Sequence, residues 1–119
     1  MILKKKNRKF KVNKDLKIKD CGEIILSTNE MINIKIKNKI NEITAKSWGF
    51  YLTPSINKRL KKNGFKCAII KNKKNKFFVC LVINNKKEIN SFYEYLKKDG
   101  QKLITFFSTR ILKNLSWTN

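Results

Sequence analysis

Residues 65–83 read FKCAIIKNKKNKFFVCLVI. Two apolar runs, Phe65–Ile70 and Phe77–Ile83, flank the polar stretch Lys71-Asn72-Lys73-Lys74-Asn75-Lys76. Runs this short, bounded by turn residues and rich in Ile, Val and Phe, predict two paired strands, 65–71 and 76–83. A turn centred between Lys73 and Lys74 makes residues whose numbers sum to 147 face each other. Cys67 is then opposite Cys80, Ala68 opposite Val79 and Ile69 opposite Phe78. In the second strand Phe77, Val79, Leu81 and Ile83 point one way and Phe78, Cys80 and Val82 the other, because side chains alternate. Both sets are apolar, so both faces are expected to be covered. Two helices cover one, and N-terminal strands or a second copy of the chain cover the other.

Working outward toward the C-terminus, Ile89, Phe92, Tyr93 and Leu96 recur at helical spacing, which predicts an amphipathic helix over about 86–98 that ends near Gly100. Leu103–Phe107 is a last strand. Ser108 can cap a short C-terminal helix holding Ile111, Leu112 and Leu115. Toward the N-terminus, Thr53 can cap a helix with Pro54 in its first turn, a stripe of Ile56 and Leu60, and a left-handed exit at Gly64. Ile43, Ala45 and Trp48 precede it in an extended stretch. From about 43 to 107 the elements therefore run strand, helix, strand, strand, helix, strand. That is the ferredoxin-like βαββαβ order of an α+β fold.

Additional N-terminal strands are expected before it. Glu23–Leu26 reads as a short strand and Ser27–Glu30 as a turn. Ile32, Ile34 and Ile36 alternate with polar residues as in a half-buried strand. Residues 1–20 form a basic arm with weak alternation at Phe10, Val12, Leu16 and Ile18, either a frayed tail or an edge strand, and Cys21-Gly22 mark a break. The division expected is a 1–20 arm and a single 21–119 α+β domain.

One segment stands apart in composition. Lys, Asn and Ile dominate the chain, but WGFYLTPSINKRL at 48–60 contains the only proline, Pro54, and one of the two tryptophans, Trp48. A stretch that resists such drift has a job that substitution would spoil. In a functional reading, Thr53, Ser55, Asn57 and Arg59 gather at a helix start whose free N–H groups bind an anion. The plainer alternative makes Thr53-Pro54 helix punctuation and Trp48, Phe50 and Leu60 core. The string resembles a small bacterial protein family with a WGFYxTPSxNxRL signature, the similarity spanning about residues 20–107. That resemblance implies no activity and transfers no functional residue.

The formal net charge is +21, with 29 Lys and Arg against eight Asp and Glu. Such an excess attracts polyanions in a salt-dependent way. Candidate nucleic-acid contacts are Lys4, Lys5, Lys6, Arg8 and Lys9 in the arm and Lys71, Lys73, Lys74 and Lys76 in the hairpin turn. Lysine outnumbers arginine 26 to three, which also fits compositional drift, since Arg is the better bidentate reader of phosphates and bases. Either way weak binding of polyanion or RNA is expected. KFFVCLV at 76–82 lacks the small residues of an RNA-recognition strand and reads as a buried strand instead.

Nothing in the chain points to catalysis. There is no histidine to serve a cysteine nucleophile, no spaced pair of carboxylates and no Gly-rich phosphate loop. Cys21, Cys67 and Cys80 have no metal-ligand spacing, so no metal, cofactor or catalytic residue is assigned. The longest apolar runs are too short to cross a membrane, and the N-terminus lacks the features of a secretory signal, so a cytoplasmic location is expected. The leading expectation is a non-enzymatic binding or accessory protein with an anionic ligand or partner. A nucleic-acid binder and a homodimer or complex subunit are the alternatives.

Overall fold

The computed structural model describes residues 1–115. The chain is mixed α+β, and it opens with two long strands, β1 (Ile2–Asn13) and β2 (Leu16–Ile25), which pair with each other alone in an antiparallel ribbon. The basic arm is therefore not a frayed tail; it forms β1 and the start of β2 in a two-stranded ribbon, in which each strand is an edge. Nor does Cys21-Gly22 end an element. Lys6 and Asn7 there oppose a single residue, Cys21, in a β-bulge. Gly22 has φ +141°, and a Cβ there would lie 2.1 Å from the Lys4 carbonyl oxygen. Only glycine fits where the two backbones come this close.

β3 (Met31–Ile36), β4 (Lys39–Lys46) and β5 (Gly49–Leu52) follow as a meander in the order β3-β4-β5. Lys37 and Asn38, at φ 47° and 68°, make the two-residue turn between the first pair, the positive-φ geometry that matches strand twist. Ile34 and Ile36 are about half exposed, so this strand is not the half-buried one that its alternation predicts. Alternation sets which residues share a face but not whether anything packs against it.

The remaining elements are α1 (Arg59–Lys62), β6 (Phe65–Lys71), β7 (Phe77–Ile83), α2 (Lys86–Asp99), β8 (Lys102–Phe106) and α3 (Thr109–Asn114). α2 ends at Gly100 as its sequence predicts, and its start is capped by a residue not singled out beforehand. Asn85 accepts a hydrogen bond from the Glu88 N–H, and Gly100 at φ 66° closes the far end, with the Gln101 N–H donating to the Leu96 carbonyl. Ser108 caps α3 through the Ile111 N–H, also as expected.

The described residues divide into two compact units, 1–32 with 43–51, and 33–42 with the chain from Leu52 onward. The second unit holds the main core. Its sheet runs β7-β6-β8 with β6 antiparallel to both neighbours. β7, α2 and β8 thus form a crossover that straddles β6. From β6 onward the elements follow the expected order, but two strands, β4 and β5, precede α1 where one was expected, and the ferredoxin-like sheet does not form. Its first strand would have to lie beside the hairpin, whereas residues 39–52 pair in the β3-β4-β5 meander.

The hairpin register also differs from expectation. The partners are Cys67 with Leu81, Ala68 with Cys80 and Ile69 with Val79, numbers that sum to 148. Asn75 adopts φ 60° and the Asn72 side chain accepts from the Lys74 and Lys76 N–H groups. That builds an odd-numbered loop where a symmetric even one was expected, and one residue of slip moves every side chain to the other face. Cys67 and Cys80 therefore lie on opposite faces, both as free thiols.

On one face Phe65, Cys67 and Ile83 pack with Leu60 of α1, joined by Ile56, Leu81 and Phe107. On the other, Phe106 stands opposite Ala68 and meets Phe92 and Tyr93 of α2. The Lys66 ammonium lies over the Phe106 ring at 4.6 Å. The two helices thus take one face each, rather than sharing one and leaving the other to an outside element. Coverage stops short of the hairpin tip, where Phe77, Phe78 and Val79 remain exposed on the edge strand β7.

Candidate functional site

The segment that resists drift is built differently from either reading of its sequence. The Thr53 N–H donates to the Glu42 carbonyl and Pro54 is fully buried. No helix starts there. The Ser55 hydroxyl accepts the Arg59 N–H, and the Ser55 carbonyl accepts from Lys58 and Leu60. Side-chain oxygens that capture backbone donors in this way compete with helix formation. Only the single turn Arg59–Lys62 is helical, and Lys58 at its start makes no side-chain cap. Trp48 and Phe50 are 71% and 69% exposed, so they are not core. Trp48 instead stacks on Tyr51, centroids 6.1 Å apart. Leu60 alone, at 0% exposure, fills the core place expected of all three.

With Leu60 pointing inward, its neighbours point out. Asn57, Lys58, Arg59, Lys61 and Lys62 line one open hollow of about 520 Å³. Arg59 is held there by an ion pair with Glu42. Of the four residues singled out from the sequence, Asn57 and Arg59 line this hollow. Ser55 and Thr53 do not line it: Ser55 is engaged in the turn with Lys58, Arg59 and Leu60, and the Thr53 N–H bonds the Glu42 carbonyl. Lys58, Lys61 and Lys62 were missed. Their signal was present in the string KRLKK, where every neighbour of an inward Leu60 is a cation.

The other candidates are spread over two places. Lys4, Lys5, Lys6, Arg8 and Lys9 all lie on β1 and are exposed. Lys6 pairs with Glu23 at 2.6 Å, and the hydrogen bond to that carboxylate holds its ammonium above the usual lysine range. Arg8 reaches Asp20 at 3.4 Å and lies 4.8 Å from the Phe10 ring centre. Lys71, Lys73, Lys74 and Lys76 sit in or beside the β6–β7 turn. Lys73 reaches back to Gly100, where a Cβ would meet its Cε at 2.0 Å.

Elsewhere in the second unit, Lys37 donates to Glu88 at 2.6 Å and lowers that carboxyl's pKa. Burial raises the Cys67 and Cys80 thiols, and raises Tyr95 as well. Burial thus favours the protonated thiol over the thiolate at both positions. Among the described residues no three His, Cys, Asp or Glu side chains group as metal ligands, and no helix is long and apolar enough to cross a membrane.

No family model matches the chain, and neither a curated protein nor a solved structure is detectably similar to it.

Proposed function

We propose that the chain is a binding protein rather than a catalyst, and that it takes a phosphate-bearing ligand in the hollow around α1. One observation carries this reading: four residues with cationic side chains, Lys58, Arg59, Lys61 and Lys62, border a single open hollow together with Asn57. Cations clustered around a hollow raise the local potential more than the same charges scattered over a convex surface. Asn57 adds hydrogen-bonding capacity, and Glu42 fixes the Arg59 guanidinium while leaving donors on its planar fork. The site owes nothing to a helix N-terminus, since α1 is one turn long.

The test is a melting series in inorganic phosphate, with chloride at matched ionic strength as reference. A ligand at ten times its Kd stabilises by about 1.4 kcal/mol, a rise of a few degrees in Tm. Lys61→Gln with Lys62→Gln should abolish the rise while leaving the Tm without phosphate unchanged. Equal melting of the wild type in phosphate and chloride would remove the site.

A further inference from the structure

The register of the β1–β2 ribbon places Lys9 opposite Lys19 and Lys11 opposite Lys17. Residues two apart on a strand share a face, so these four ammonium groups occupy one face of the ribbon's outer half. The intervening pair, Phe10 opposite Ile18, belongs to the other face. The ribbon's two ion pairs, Lys6 with Glu23 and Arg8 with Asp20, involve none of the four. Like charges directly opposite each other destabilise a strand pair. Here two such pairs stand in a row, on a ribbon whose first strand is exposed along its whole length. Folding alone offers no reason for that arrangement, whereas a polyanion laid along the face turns the repulsion into attraction.

We propose that this face is a docking surface for the phosphate backbone of duplex nucleic acid. The chemistry and dimensions agree. Two residues of strand advance about 6.8 Å, close to two base-pair steps of roughly 3.4 Å each, and a two-stranded ribbon is narrow enough to enter a major groove. The lysine face carries no aromatic side chain on which unpaired bases could stack, which separates duplex from single-strand binding. Lysine is a point charge that contacts phosphates without reading base edges, so binding is independent of sequence. This surface belongs to the first compact unit and does not rest on the hollow around α1.

The experiment measures fluorescence anisotropy of a labelled duplex of about 20 base pairs against salt. It compares the wild type with two variants of equal net charge. One carries Lys9→Gln, Lys11→Gln, Lys17→Gln and Lys19→Gln; the other carries Lys86→Gln, Lys87→Gln, Lys97→Gln and Lys98→Gln on α2. Four phosphate contacts give a slope of about −3.6 in log K against log salt, roughly a 150-fold loss between 50 and 200 mM. That dependence should vanish from the ribbon variant and survive in the α2 variant, and four Lys→Arg changes in the ribbon should keep it. Relief of the like-charge pairs should leave the ribbon variant at least as heat-stable as the wild type. Its phosphate-dependent Tm rise should be intact, which separates failure of this surface from failure of the α1 hollow. Equal losses in both Gln variants would overturn the proposal. So would tighter binding to a single strand of equal phosphate count, or binding to anionic vesicles with none to duplex.

Discussion

Leu60→Ala should be the most damaging truncation in the 48–60 segment. Leu60 is completely buried and touches the cluster of Phe65, Cys67 and Ile83. Removing three carbons costs about 2.4 kcal/mol at ~0.8 kcal/mol for each buried carbon. The cavity left behind brings the total to about 3–4 kcal/mol. At roughly 4 °C per kcal/mol for a chain of this size, Tm should fall by roughly 12–16 °C. A second consequence follows from α1 itself. A single turn has no stability of its own, so without Leu60 the cations of the hollow disperse and the phosphate-dependent Tm rise goes with them. Trp48→Ala is the contrast. With 71% of its surface exposed and only the stack on Tyr51 to lose, it should cost at most about 1 kcal/mol. Urea unfolding followed by far-UV circular dichroism measures both variants. Leu60→Ala within about 1 kcal/mol of wild type, or Trp48→Ala the costlier of the two, would refute the reasoning and put the aromatic residues back in the core.

Gly22→Ala should open the ribbon without unfolding the second unit, because its Cβ would meet the Lys4 carbonyl at 2.1 Å and its φ is +141°. Amide exchange should lose protection in residues 2–6 and 21–25 while β6 stays protected; unchanged protection in both would contradict the bulge geometry. Thiol labelling at neutral pH should modify exposed Cys21 first, half-buried Cys80 next and buried Cys67 last. Burial raises both inner thiols, so the folded protein holds their protons where the unfolded chain releases them. Their contribution to stability is whole below the unfolded thiol pKa and declines as pH rises past it, so the urea midpoint should fall in alkaline solution and fall less in Cys67→Ser.

The segment from Phe65 to Phe107 was legible because its elements are specified locally. Apolar runs, the spacing of Phe92 and Leu96, and the caps Gly100 and Ser108 each act within a few residues, and each forms where the sequence places it. The string KRLKK likewise carried the essentials of the α1 hollow, since a single inward leucine dictates that its cationic neighbours face out. What was not legible depends on choices between long-range alternatives of similar local quality. Residues 39–52 are extended in either arrangement, and their pairing in the β3-β4-β5 meander, rather than beside β6, is a matter of global competition for edges. The backbone of a single asparagine, Asn75 in the left-handed region, decided the hairpin register and so which cysteine faces which helix. Burial of Trp48 could not be read from its size, because hydrophobicity sets the gain from being covered and only the tertiary packing supplies a cover. By itself the sequence determined where most of the chain after Gly64 is extended or helical, and its formal charge of +21. The tertiary structure decided which strands are neighbours and where the lysines line up, because strand pairing joins residues far apart in the chain and no local signal ranks one partner above another.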